Sequence, residues 1–163
     1  METEWKPIPE FPEYLVSNYG DVVNGKTGKW IQLSVTQRGA VKVGLVYQRK
    51  QYTRSVSVLV ADAFVPGRDV IYDTPIHLNG DKTNNRADNL AWRPRWFALA
   101  YTKQLDRISE NDRLGPLRDI ATDQRYFDIV EACTLHGLLF KDVRRAIVMK
   151  ESVFPTIQRF EWV

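Results

Sequence analysis

Hydrophobic and polar positions alternate along the first third of the chain, with glycines between the alternating runs. WIQLSV at 30–35 and VKVGLVY at 41–47 place apolar side chains at every second position, and QYTRSVSV at 51–58 has the same period except at Arg54. This period is typical of strands with one buried face, and glycine suits the turns that join them. We therefore predict a small antiparallel sheet within residues 5–64.

The period then changes to that of a helix. SVLVADAF at 57–64 predicts a short, mainly apolar helix that ends before Pro66-Gly67. Residues 96–113 are polar and amphipathic, with apolar side chains at helical spacing, which indicates a surface helix or a linker. Between Arg93 and Arg118 basic residues outnumber acidic ones six to three, so this part of the chain could follow a DNA backbone.

The last fifty residues have the pattern of a separate helical module. Asp128 is placed to cap a helix, with Glu131 three residues later, and Gly137 is placed to end it near His136. A second helix is predicted from about Phe140 to Lys150, with apolar residues on one side and basic residues elsewhere. A helix-turn-helix and a plain helical hairpin both fit this pattern.

Composition narrows the class of protein. A chain of 163 residues with 44% hydrophobic and 26% charged residues predicts a folded protein. The lone Cys133 excludes an internal disulfide and a cysteine-based zinc site. The acidic, proline-broken start does not match a signal peptide, and no apolar run has the length of a membrane span. We expect a cytoplasmic protein with no membrane partner. Its net charge of +3 permits a nucleic-acid partner if the basic residues cluster.

The stretch PIHLNGDKTNNRADNLAW at 75–92 gathers four asparagines and two aspartates around one histidine. Asn79-Gly80-Asp81 is a strong turn signal, and a short helix is predicted near Asp88 and Asn89. This composition is typical of a small metal-dependent site. It is equally typical of a tight turn in which His77 is only a hydrogen-bonded packing residue.

Three segments in sequence order resemble the phage and intron-type HNH homing endonucleases. EWKPIPEFPEYLVSNYGDV at 4–22 looks like a NUMOD4 motif. LVADAFVP at 59–66 and IHLNGDKTNNRADNLAW at 76–92 look like the HNH motif. YFDIVEACTLHGLLFKDVRRAI at 126–147, with the terminal FEW, is similar to the intron-encoded nuclease repeat, a helix-turn-helix unit.

The resemblance implies a chemistry for the central stretch. In an HNH site a histidine acts as general base on water, and one divalent metal stabilises the charge that develops on the phosphate. His77 matches the base, Asn89 matches the asparagine that orients it, and Asn84-Asn85 match paired asparagines of the turn. Mg²⁺ or Mn²⁺ is the expected cofactor if nuclease activity is retained.

The metal-ligand positions of the family do not match. The residue before the histidine, usually a polar ligand in the family, is Ile76, and the second ligand position falls on Ala98. Neither side chain can coordinate an ion, so we assign no metal ligands and expect no bound cofactor. Ser57 is a third departure, at a position where the family often has histidine.

These observations predict an α+β fold in three segments. Residues 1–92 would hold a small N-terminal antiparallel sheet and a ββα-metal (HNH) motif, 93–116 a helical linker, and 117–163 a helix-turn-helix module. Three basic surfaces are candidates for contacts with double-stranded DNA: the sheet, the linker and the second helix of the last module. Their candidate residues are Lys42, Arg49, Arg54, Arg93, Arg95, Lys103, Lys141, Arg144 and Arg145.

The preferred hypothesis is a phage-encoded DNA-binding protein, derived from an HNH homing endonuclease and acting in the host cell without efficient cleavage. It would regulate a site or occupy it. Two other classes stay open. One is a metal-dependent DNA-nicking HNH endonuclease. The other is an exapted scaffold that binds and modulates a host or phage protein.

Overall fold

A computed structural model describes residues 2–163. Helices and small antiparallel sheets are mixed along the chain, so the predicted α+β class is confirmed. The chain divides into two compact units: the first runs to His77 and includes Asp81–Pro94, and the second comprises Leu78–Gly80 and Arg95–Val163. The division into three segments stays a prediction. No helix within the described residues is long and apolar enough to cross a membrane.

Two three-stranded antiparallel sheets form most of the first unit. The first sheet, in the order β1-β2-β3, contains β1 (Trp5–Ile8), β2 (Phe11–Ser17) and β3 (Val22–Asn24). The second, in the order β4-β5-β6, contains β4 (Leu33–Val35), β5 (Val41–Tyr47) and β6 (Lys50–Ser55). The alternation in β5 matches its burial, because Val41, Val43 and Leu45 are buried.

The strand predicted at 51–58 is too long. The chain leaves the sheet after Ser55 and enters helix α1 (Val56–Phe64). Val56, Leu59 and Val60 are buried with the sheet residues, and their spacing places them on one face of a helix. This helical face overrides the period-two pattern that continues to Val58.

A two-stranded hairpin completes the first unit. β7 (Thr74–His77) pairs antiparallel with β8 (Leu90–Arg93), and His77 lies opposite Leu90. A 3₁₀ turn at Ala87–Asn89 leads into β8, as the sequence predicted. The hairpin therefore presents His77 at the end of its first strand, where the connecting loop begins.

The second unit packs three α-helices, a 3₁₀ turn and a small sheet around one core. Its helices are α2 (Arg95–Leu105), α3 (Ile129–His136) and α4 (Phe140–Met149), and a 3₁₀ turn spans Glu110–Asp112. Its sheet, in the order β10-β9-β11, contains β9 (Leu117–Asp119), β10 (Arg125–Tyr126) and β11 (Phe160–Trp162). The core includes buried Leu117, Ile129, Leu138, Val143 and Phe160.

Both predicted ends of α3 are present. The Asp128 carboxylate accepts a hydrogen bond from the Glu131 N–H at 2.8 Å, and Gly137 ends the helix in the left-handed conformation with φ 63°. Glu131 in turn accepts from the Phe127 N–H at 2.6 Å. Reciprocal bonds therefore cap the start of α3, and the Gly137 N–H closes its end by donating to the Cys133 carbonyl.

Helix α2 lies against the core of the second unit. Phe97 and Tyr101 are buried, and the Tyr101 hydroxyl donates to the Leu78 carbonyl at 2.7 Å. The Gln104 amide donates to the Leu138 carbonyl at 2.8 Å and accepts from the Phe140 N–H at 3.0 Å. These bonds tie α2 to the turn before α4.

Candidate nuclease-like site and basic surfaces

His77 is half-buried at the end of β7 and contacts one side chain of the following loop. Its Nε2 lies 3.0 Å from Oδ1 of Asn85. Burial lowers the pKa of His77 below the ordinary value of 6.5, although the Asn85 hydrogen bond and the Asp81 carboxylate act in the opposite direction. The imidazole is therefore neutral at neutral pH, which is the form that can accept a proton.

Asn85 is itself held by the N-terminal turn. Gly20 has φ +97°, and a Cβ atom there would lie only 3.1 Å from the Asn85 Cβ. The Ala87 N–H donates to the Asn18 carbonyl at 2.9 Å, and the Arg86 guanidinium lies over the Tyr19 ring at 4.6 Å. The turn after β2 thus positions the loop that contacts His77.

The asparagine in direct contact with His77 is Asn85, which the sequence assigned only to the turn. The Asn89 side chain donates to the Asn84 carbonyl at 2.9 Å, so it fixes the backbone next to Asn85. That Asn89 orients His77 stays a prediction. Asn89 could act indirectly, because it bonds the backbone of Asn84 and the next residue, Asn85, contacts the histidine. The paired asparagines seven and eight residues after the histidine were the sequence signal for the direct contact.

The two positions that the family pattern assigns to metal ligands hold side chains that cannot coordinate a divalent ion. Ile76 is 3% exposed, and Ala98, on α2 of the second unit, is 8% exposed. The Asp81 carboxylate accepts from the Thr83 N–H and hydroxyl at 2.9 and 2.6 Å, and these bonds lower its pKa. Asp88 accepts two bonds from Arg86, at 3.1 and 2.8 Å, and its pKa is lowered chiefly by them.

Within residues 2–163 no group of three or more His, Cys, Asp or Glu side chains is arranged to hold a metal. Ser57, at the third departure from the family pattern, is buried and lies 3.1 Å from the Ser55 hydroxyl. The local carboxylates stabilise the loop, and no hard oxygen ligand precedes the histidine.

The candidate basic residues of the first unit differ in how free they are to contact DNA. Lys42 is half-buried on β5, and Arg49 is exposed in the two-residue turn between β5 and β6. Arg54 pairs with Glu10 at 2.9 Å and lies over the Phe11 ring at 5.0 Å. Arg93 donates to the Trp92 carbonyl at 2.8 Å. Of these, Arg49 is the most accessible to a ligand.

Two helices present the candidate basic residues of the second unit. Arg95 and Lys103 are exposed on α2, and Lys141 and Arg145 are exposed on α4. The spacing of four residues puts Lys141 and Arg145 on the same face of α4. Arg144 instead lies 3.3 Å from the Asp112 carboxylate, so part of its charge is already engaged.

The model of the NUMOD4 motif matches residues 4–46. The chain is 34% identical over 92 residues to an uncharacterized HNH endonuclease of Acanthamoeba polyphaga mimivirus. It is 36% identical over 92 residues to the DNA endonuclease I-HmuI of Bacillus phage SP01. These matches cover 56% and 55% of this chain, but only 27% and 51% of the two relatives. The chain thus spans about half or less of the curated relatives it matches.

The fold gives a second comparison. This chain matches a solved structure that shows DNA binding and cleavage by the HNH homing endonuclease I-HmuI, with a TM-score of 0.58. The match has 25% sequence identity and covers 98% of both chains. Sequence and fold together make this chain a relative of the HNH homing endonucleases, and the predicted resemblance is confirmed.

Proposed function

We propose that this protein binds double-stranded DNA through an HNH-derived framework without cleaving it efficiently, and that it acts by regulating or occupying a DNA site. The observation that carries the proposal is the donor set beside His77. The histidine and its asparagine support are present, while the positions expected to hold metal ligands are buried and apolar.

The basic surfaces support the DNA-binding half of the proposal. Five of the candidate residues are exposed and have no ion-pair partner among residues 2–163: Arg49, Arg95, Lys103, Lys141 and Arg145. Unpaired, exposed cations release counterions when they bind phosphates, so binding should weaken steeply as salt rises. The match to a DNA endonuclease and the structural likeness to I-HmuI point to the same ligand.

The chemistry of phosphodiester hydrolysis supports the other half. An HNH nuclease needs a divalent ion such as Mg²⁺ or Mn²⁺ to stabilise the charge on the phosphate and the leaving oxygen. Asp81 and Asp88 accept hydrogen bonds from Thr83 and Arg86, so coordination of a metal by either carboxylate would compete with these bonds. His77 alone can bind or move a proton, but it cannot stabilise that charge.

Cleavage remains the second candidate function, and one observation favours it. His77 is neutral because burial lowers its pKa, so a proton acceptor is available at the site. A metal-dependent nicking endonuclease would use this group as the general base.

A nicking assay separates the two functions. Supercoiled plasmid is incubated with the protein and Mg²⁺ or Mn²⁺, beside the His77→Ala variant and an authentic nicking enzyme. We expect the protein and the variant to leave the plasmid supercoiled while a gel shift at low salt shows binding. Turnover that His77→Ala abolishes would establish the nuclease. Absence of binding to any duplex at low salt would reject the DNA-binding proposal and favour a protein-binding scaffold.

A further inference from the structure

The loop after β7 holds a cation that the proposed function has not used. The bond between His77 and Asn85 closes the loop that contains Lys82. The Lys82 side chain is half-buried and passes over Gly39, where an added Cβ atom would lie 3.7 Å from the Lys82 Cβ. The stem of this lysine is therefore supported by the turn between β4 and β5.

The charge of Lys82 has no direct partner in the described part of the chain, and it acts on the histidine. Among residues 2–163, Lys82 has no ion-pair or hydrogen-bond partner. Its positive charge helps to lower the pKa of His77, although burial has the larger effect. The neighbouring Asp81 accepts two hydrogen bonds from Thr83. A lysine whose stem packs on the fold and whose ammonium group has no partner among these residues favours an anionic ligand.

We propose that Lys82 binds a phosphate of the DNA backbone beside His77, where a nuclease of this type would use a metal ion. This inference rests on the proposed DNA-binding function and assigns a contact to its former catalytic site. An ammonium group can hold a phosphate diester by charge and hydrogen bonding. Unlike a metal ion, an ammonium group neither activates a water molecule nor coordinates the leaving oxygen. The contact therefore anchors DNA without hydrolysing it.

The test compares two lysines that carry the same charge in different surroundings. Lys82→Met removes the ammonium group but keeps an apolar stem over Gly39. Lys26→Met removes the same charge from an exposed lysine that already pairs with Glu13. Binding of each variant to one duplex is measured over a range of salt concentrations, in EDTA and again with Mg²⁺.

We expect Lys82→Met to weaken binding by about tenfold and to reduce the slope of log affinity against log salt by about 0.9, as the loss of one phosphate contact requires. Lys26→Met should change neither quantity, and Lys82→Arg should retain the slope. The results in EDTA and in Mg²⁺ should agree. Equal slopes for Lys82→Met and wild type would overturn the inference, and so would Mg²⁺-dependent recovery of affinity in Lys82→Met.

A second measurement locates the contact. The chain has two histidines, so the ring signals of His77 and His136 are easily assigned by NMR. DNA should shift the His77 signal in the wild type and shift it much less in Lys82→Met. An unchanged His77 signal in a wild-type protein that binds DNA would overturn the contact but leave the proposed function intact. Loss of all DNA binding in the wild type would instead reject the proposed function.

Discussion

At the scale of single residues, Gly20 controls the support of His77. Its φ of +97° is unfavourable for residues with a side chain, and an added Cβ would lie 3.1 Å from the Asn85 Cβ. Asn85 is 5% exposed and forms the hydrogen bond with His77. A displacement of Asn85 by a side chain at position 20 would therefore move a direct partner of the histidine.

The substitution Gly20→Ala should therefore lower the free energy of unfolding by about 2–3 kcal/mol, combining backbone strain with overpacking. Urea unfolding measures the loss, and the NMR signal of the His77 ring should move. Gly28→Ala is a matched control, because Gly28 also has a positive φ, +69°, but nothing lies within 4 Å of an added Cβ. The control should cost about 1 kcal/mol. Equal losses for the two variants would show that the contact with Asn85 is unimportant.

At the scale of elements, the hairpin of β5 and β6 has an unusual turn. Gln48 and Arg49 are its two central residues, with φ of 49° and 64°. Two-residue hairpin turns of this kind favour Asn-Gly, because side chains strain the left-handed conformation. Gln and Arg side chains can read base edges in the major groove. A contact with DNA would therefore explain why the turn keeps these two residues despite the backbone strain.

Arg49→Gly should accordingly stabilise the protein and weaken its binding to DNA. We expect the free energy of unfolding to rise by about 0.5–1 kcal/mol, and the affinity for a duplex to fall by about tenfold. Arg49→Lys keeps both the charge and the strained backbone, so it should leave stability unchanged and reduce affinity less. If Arg49→Gly binds DNA as tightly as the wild type, the hairpin turn does not contact DNA.

At the scale of the whole molecule, regular elements were more predictable from sequence than the site was. β5, α1 and α3 follow from apolar spacing and from local signals such as Asp128 and Gly137, all of which act over a few residues. The contacts between Gly20 and Asn85 and between Arg144 and Asp112 join distant parts of the chain. No local pattern encodes them, because they depend on how sheets and helices pack.

Local sequence patterns also do not identify the two positions expected to hold metal ligands. A family pattern, rather than periodicity, identified Ile76 and Ala98 as the expected ligand positions. The structure adds that both are buried, so oxygen ligands introduced there would lose hydration. Restoring a metal site by Ile76→Asp with Ala98→Asn should thus destabilise the protein in the absence of metal, by about 1–3 kcal/mol for each unpaired polar group.

If the two positions match those of the family, Mg²⁺ or Mn²⁺ should raise the Tm of this double variant but not that of the wild type, because a metal that binds only the folded state stabilises it. Plasmid nicking should then appear with the same metal dependence. Adding His77→Ala to the double variant should abolish nicking and keep the metal-dependent rise in Tm, since the base acts on water and the introduced oxygens hold the ion. A double variant that folds and binds DNA, yet shows neither a metal-dependent Tm nor nicking, would mean that the ligand positions lie elsewhere in the chain.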